Sequence, residues 1–341
     1  MPYSELHPSL PRWMRDVNSL LLSITAGESD TLRQAGQMVI GMRGKRLRPA
    51  LLLLSCASFG PICERAISYA ALTEMIHTAS LAHDDVIDEA DSRRGAPSAP
   101  AFWGNKLSVL VGDYLLARVF ELATHDGDLH ALHLLSAAAT EMGRAVVLEC
   151  TAMDIEATEE TYFSVIRGKT AALFSATLAV GAHLGGASLA QEDALAGLGE
   201  SFGCAFQLAD DLLDLQGSAA ETGKPHGADW ILRHATLPLL YTLRTAPPSV
   251  ADEVRALWRH DTLTPENQRE MTRLVSAAGG FDYGWKKVKE YQEHACASLE
   301  AIPCGPARDA LWHLCTDAFP LPVLPPSSAW RPFELTEKGI P

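Results

Sequence analysis

LAHDDVIDEADSRRG, residues 81–95, sets Asp84, Asp85 and Asp88 in an otherwise apolar run and follows them with Arg93 and Arg94. The spacing is i, i+1, i+4. On a helix the first and last lie one above the other, and the middle one is about 100° round. Leu81, Ala82, Val86 and Ile87 around them are apolar. Carboxylates crowded this way repel each other, and loss of water raises their pKa values. A hard divalent cation relieves both effects. Magnesium takes one or two carboxylates and leaves its other positions to water and phosphate oxygens. A solvated acidic helix face is the ordinary alternative. The pattern recurs, however, in FQLADDLLDLQG (206–217), as Asp210, Asp211 and Asp214 among Leu208, Ala209, Leu212 and Leu213. Two triads of identical spacing on two apolar helices are hard to explain as surface decoration; if the helices face each other across a bundle, they form a two-sided clamp for metal ions and a diphosphate.

The rest of the chain supports a bundle. The periodicity is helical nearly throughout, with no long apolar–polar alternation and no Asn-Gly hairpin signal. Glycine and proline recur where helices would end, as at Gly60-Pro61, Gly95 to Pro100, Gly181 to Gly186, Pro247-Pro248 and Gly279-Gly280. The predicted fold class is all-α, a single helical domain over residues 1–319. A proline-rich tail over 320–341, beginning PLPVLPPSSAWRP, is not expected to be helical. Thr170 to Gln191 contains no Asp, Glu, Lys or Arg. It is mostly small residues with His183 in the middle, so it reads as a buried central helix rather than a bilayer span.

Composition narrows the function. With 341 residues, 47% of them hydrophobic, the chain can bury a large core. A net charge of -14 argues against nucleic-acid binding, which needs basic surface. Seven scattered cysteines show no zinc spacing and read as reduced, mostly core residues of a cytoplasmic protein. The first residues lack the basic-then-apolar order of a secretory signal.

The cations cluster beside glycines. GKRLRP (44–49) holds Lys45, Arg46 and Arg48; SRRG holds Arg93 and Arg94; IRGKT (166–170) holds Arg167, Lys169 and Thr170; TGK holds Lys224. Guanidinium forks and lysine point charges bind diphosphates. Any one of them could be an ordinary surface charge. Beside the acidic triads they suggest one phosphate group on metal and another on Arg and Lys. His77 lies two helical turns before Asp84, on about the same face, although a core histidine bonded to a backbone carbonyl fits as well. His83 points elsewhere.

These pieces resemble the trans-isoprenyl diphosphate synthases, or polyprenyl synthetases. The matching segments are GKRLRP, IHTASLAHDDVIDEADSRRG, WGNKLSVLVGDYLLARVF, YFSVIRGKTAALFSA, GCAFQLADDLLDLQG, and TGKPHGAD followed by TLPLLY. They run in the family's order from about residue 40 to 241. The resemblance implies a helical bundle around a deep central cavity, usually homodimeric. It implies magnesium ions, three per site, on Asp84, Asp88 and Asp210, with Asp85, Asp211 and Asp214 supporting them. Lys45, Arg48, His77 and Arg94 match positions that hold isopentenyl diphosphate. Arg93, Lys169, Thr170, Gln207 and Lys224 match those on the side of the allylic diphosphate. The implied reaction is ionisation of the allylic diphosphate, attack by the isopentenyl double bond and loss of a proton. The product partitions to membrane if it is long enough.

Two places depart from the family pattern. It commonly has Gly-Glu or Gly-Gln and then Gln or Asp about three residues on, where EMGRAVVLE puts Arg144 and Val147. It also has a lysine two residues before TLP, where this chain has His234. Two readings of Arg144 stand side by side: it reaches the leaving diphosphate and compensates for the weaker His234, or it faces solvent. Bulk just before the first triad stops chain growth in the family. Ala79 and Ser80 are small, with Met75 and Ile76 one turn deeper, which favours five or more isoprene units. Two other readings are a class I terpene cyclase and a non-catalytic subunit of a heteromeric prenyl synthase. A cyclase has no need of Lys45, Arg48 and Arg94 together, nor of a second DDxxD.

Overall fold

Gly127, at φ 80°, closes one helix, and Asp128 opens the next by accepting bonds from the His130 and Ala131 amides at 3.1 and 3.0 Å. Joints of this kind recur at several helix starts. The side-chain oxygens of Ser98, Thr158 and Thr264 cap further helices in the same way, and proline follows Ser98 and Thr264 in the first turn. The computed structural model describes residues 3–25, 33–34, 46–93, 96–216, 227–260 and 263–317. The elements in order are α1 (Tyr3–Leu6), α2 (Leu10–Thr25), α3 (Leu47–Ala57), α4 (Glu64–Ile87), α5 (Ala99–Trp103), α6 (Asn105–Asp126), α7 (Leu129–Ala152) and α8 (Glu159–Ile166). A π-helical turn, Arg167–Ala171, leads into α9 (Ala172–Gly185). Then come α10 (Leu189–Gln216), α11 (Ala228–Ile231), α12 (Leu237–Thr245), α13 (Pro248–Trp258), α14 (Pro265–Ala277), α15 (Gly280–Ser298) and α16 (Pro306–Asp317). Among the described residues the one extended pairing is a two-residue antiparallel ribbon, Ser92–Arg93 with Ala96–Pro97. The expected all-α class holds. The proline-rich tail lies outside the described residues.

Helix α10 is the axis. It packs on α9 along one side and on α15 along another, and α9 in turn packs on α3 and α7. Small residues make these approaches close. A Cβ built on Gly199 would stand 2.5 Å from the Phe174 carbonyl oxygen, and one on Gly181 would stand 2.4 Å from that of Leu52. Between them, Phe174 and Phe202 meet edge to face with centroids 5.2 Å apart. The uncharged stretch from Thr170 is therefore the buried helix expected of it. No helix among the described residues is long and apolar enough to cross a membrane. Leu51, Leu52, Leu53 and Leu54 are all fully buried, so α3 is enclosed on every side. Each such leucine contributes about 1.5–3 kcal/mol.

One expectation about cysteine fails. Cys56, Cys204 and Cys315 are buried, but Cys63, Cys150 and Cys304 are exposed and Cys296 is intermediate; all seven are free. The exposed ones fall on outward helix positions or at helix ends, where composition alone gives no hint of depth.

Candidate active site

Both triads end their helices. α4 stops at Ile87, and Asp88 caps it by donating its N–H to the Asp84 carbonyl at 2.8 Å. α10 carries Asp210, Asp211 and Asp214 in its last two turns. A helix C-terminus presents the negative end of the backbone dipole, so each triad deepens a field that is already negative. One aspartate of each triad, Asp88 and Asp211, lines a pocket of about 190 Å³, and Glu149, Asp229, Lys169 and His234 complete its charged lining. Carboxylates outnumber cations there. Burial separates the aspartates: Asp85 and Asp211 are buried, Asp84, Asp88 and Asp214 are half-buried, and Asp210 is exposed.

Asp211 anchors a hydrogen-bonded strut. Its carboxylate accepts from the Tyr162 hydroxyl at 2.5 Å and from Gln207 Nε2 at 2.8 Å. Gln207 Oε1 in turn accepts from the Thr170 hydroxyl at 2.8 Å. Burial, with Asp229 nearby, pushes the Asp211 carboxyl well up despite those bonds, and burial beside Asp211 does the same to the Tyr162 phenol. Thr170 and Lys169 reach the pocket from the π-helical turn, whose wider pitch re-aims side chains. Gly168 lets that turn sit against α7, where an added Cβ would stand 2.5 Å from Ala145 Cβ. Lys169 Nζ lies 2.5 Å from Glu149 Oε2. Burial lowers its pKa, but Glu149, Asp84 and Asp88 outweigh that and leave it raised.

The floor of the second triad is held by backbone. Asp214 Oδ2 accepts from the Asp229 amide at 2.9 Å, and the Asp214 carbonyl from the Gly227 amide at 3.0 Å. That places Asp229 beside His234, whose Nδ1 lies 3.7 Å from Asp229 Oδ1. The bond to Asp229 raises the His234 pKa against burial, with Glu149 and Asp88 adding to it. His234 thus lines the pocket with its imidazole shifted toward the protonated form.

The GKRLRP cations divide. Arg46 is buried and pairs with buried Glu74 at 2.7 Å, which ties the start of α3 to α4. Arg48 lies with its guanidinium 4.2 Å from the Phe174 ring centroid, and His77 is half-buried on α4. His83 turns onto α6, 3.2 Å from the Val109 carbonyl. Lys45, Arg94 and Lys224, and the side chain of Arg93, lie outside the described residues. Met75, Ile76 and Ala79 are buried on α4 and Ser80 is half-buried; none of the four lines the 190 Å³ pocket.

Of the two readings of Arg144, the structure gives the solvent-facing one. Its side chain is 74% exposed and pairs with Glu141 at 2.9 Å. The inner face of α7 runs through Ala138, Met142 and Ala145, and Arg144 falls on the outer face, as does Val147. The inward position is taken by Glu149, seven residues after Met142 and four after Ala145. Glu149, Asp229 and Tyr162 were missed as site residues. Helical register with Met142 was a usable signal for Glu149; nothing in the sequence marked Tyr162.

Residues 29–275 match the sequence profile described as Polyprenyl synthetase. The octaprenyl diphosphate synthase of Escherichia coli (strain K12) is 35% identical over 303 residues, 87% of this chain and 92% of that protein. The crystal structure of a decaprenyl diphosphate synthase from Rhodobacter capsulatus superposes with a TM-score of 0.84 at 36% identity, covering 92% of this chain and 97% of that one. A polyprenyl synthase from Caulobacter crescentus CB15, complexed with calcium and isoprenyl diphosphate, gives 0.83 at 34% identity, with 89% and 93% covered. Fold, profile and relatives agree, and the chain belongs to the polyprenyl synthetase family of trans-isoprenyl diphosphate synthases, which are prenyltransferases.

Proposed function

We propose that this enzyme joins isopentenyl diphosphate to an allylic diphosphate and repeats the step to an all-trans polyprenyl diphosphate of five or more units. The observation that carries the reading is a pocket with more carboxylates than cations, at two negative helix ends, in a chain whose family handles anionic diphosphates. Such a pocket repels its substrate unless divalent cations stand between them. The oxygen-only donor set of Asp84, Asp88 and Asp210, which keep solvent access, fits magnesium, three ions per site. Bound there, the metal would neutralise charge on the leaving diphosphate.

The chain's own residues do the rest. Lys169, with Thr170 and Gln207 braced on Asp211, binds the allylic diphosphate, and His234 adds charge beside it. Asp85, Asp211 and Asp214 position these groups. Arg48 and His77 hold isopentenyl diphosphate, together with Lys45 and Arg94, while Arg93 and Lys224 serve the allylic side. As the allylic C–O bond breaks, the isopentenyl double bond attacks the carbon that is released. The proton lost from the adduct goes to the departing diphosphate. Met153, Val165, Ile166 and Leu232 line the pocket with hydrocarbon and keep water from the cation.

Small side chains at Ala79 and Ser80 support long products, as do relatives named for octaprenyl and decaprenyl products. An apolar surface of Phe102, Leu107, Val109 and Leu110 on α5 and α6 supports a homodimer. Free, exposed thiols suit a reducing cytoplasm, and a product of this length partitions to membrane. The test is an assay of the purified chain with magnesium, an allylic diphosphate and labelled isopentenyl diphosphate, read by mass spectrometry. Labelled polyprenyl diphosphates of five or more units are expected, and Ala79→Phe should shorten them. Cyclised hydrocarbon formed without isopentenyl diphosphate points to a cyclase. No turnover until a second protein is added points to a subunit.

A further inference from the structure

The far end of the bundle holds a second cluster that the prenyl-transfer reading does not use. His130 opens α7, His183 lies near the end of α9, and Glu192 lies in the first turn of α10. Their ligating atoms all lie within 4.8 Å of one another. Glu192 and Asp210 are eighteen residues apart on one helix, about 27 Å at 1.5 Å per residue. The cluster is therefore remote from the triads.

We propose that His130, His183 and Glu192 form a binding site for a borderline divalent cation of zinc's class. Glu192 is 6% exposed and faces both imidazoles. Its Oε1 lies 2.5 Å from His130 Nε2, and its Oε2 lies 3.8 Å from His183 Nδ1. Adjacent ligand atoms around a tetrahedral zinc with 2.0–2.1 Å bonds are about 3.3 Å apart; here the ligand atoms, one per residue, lie within 4.8 Å of one another, so small side-chain shifts that open the His130–Glu192 hydrogen bond bring them to that spacing. The second observation is the partner of His183. Its Nε2 lies 2.9 Å from Asp128 Oδ2, which holds the ring with Nδ1 turned toward Glu192. A carboxylate behind a histidine is the usual support of a metal-bound imidazole.

Asp128 is itself locked, by the Ala131 amide and by Arg65 Nη2 at 2.5 Å. The two imidazoles are 40% and 31% exposed, which leaves an entry path and an open fourth position. Two nitrogens and one oxygen select zinc over magnesium, which the oxygen-rich triads favour. The ion would tie α7, α9 and α10 together at the end opposite the reaction.

The test uses the full chain, stripped by chelator, then titrated with zinc in excess magnesium to occupy the triads. One equivalent of zinc should bind, with two imidazole nitrogens in the X-ray absorption spectrum and a raised melting temperature. His183→Ala and Glu192→Gln should lose the equivalent and the thermal shift. His130→Ala, at the most exposed of the three positions, repeats the comparison with little effect on the core. Asp128→Asn, which still caps α7, should weaken zinc roughly 10–100-fold. Circular dichroism and magnesium-dependent prenyl transfer should be unchanged in folded variants. Equal zinc uptake by wild type and the variants, or oxygen-only coordination, overturns the proposal, as does protonated His183 with no zinc bound.

Discussion

At the residue scale, charge placement separates site from surface. Arg144 is a charge on the outer face of α7, paired with Glu141. Exposed pairs of this kind contribute little, so Arg144→Ala should leave turnover within about twofold of wild type in steady-state assays. A tenfold loss would mean that Arg144 swings into the pocket. His234 is the opposite case. Its pKa is raised in the folded state by Asp229, so the protonated form is stabilised by folding. That contribution is fully present below the ordinary histidine value of about 6.5 and is lost as pH rises through the raised value. In the metal-free protein, the difference in unfolding free energy between wild type and His234→Gln should fall across that window in urea titrations. A pH-independent difference would contradict the assignment. The DDxxD aspartates and Lys169 were legible because their spacing is local. Glu149 and Asp229 were not, since each earns its place only through a neighbour on another segment.

At the element scale, close helix approach matters more than helix propensity. α9 and α10 meet where Gly199 faces Phe174 and Ser175, and a Cβ there would stand 2.5 Å from backbone. Backbone cannot yield as a side-chain tip can. Gly199→Ala should therefore cost about 1–3 kcal/mol by overpacking, despite alanine's better helix propensity. Denaturant midpoints should fall with the slope unchanged; a stabilised variant would show that the helices part freely. The π-helical turn at Arg167–Ala171 is a second device of this scale. The sequence IRGKT suggested phosphate ligands, but its spacing gave no warning of the extra residue in the turn that points Lys169 and Thr170 at the two triads.

At the scale of the whole molecule, four exposed large hydrophobic residues, Phe102, Leu107, Val109 and Leu110, fall together on α5 and α6. Phe102 is 63% exposed and Leu110 52%. If this face is the homodimer interface, Phe102→Asp with Leu110→Glu should shift sedimentation from dimer to monomer with helical content kept. A variant that still sediments as a dimer would place the interface elsewhere.

The sequence by itself determined that the chain is a helical bundle, that it carries two aspartate triads of identical spacing, and which family the chain joins. Those features are periodic or local, and a 3.6-residue helix turns spacing directly into faces. Tertiary structure alone decided which charges meet. It buried Arg46 against Glu74, sent Arg144 to solvent, set Glu149 on Lys169 and Asp229 on His234, and gathered His130, His183 and Glu192 at the opposite end. The physical reason is that helix rotation and close packing fix these contacts, and both depend on side chains far away in the chain.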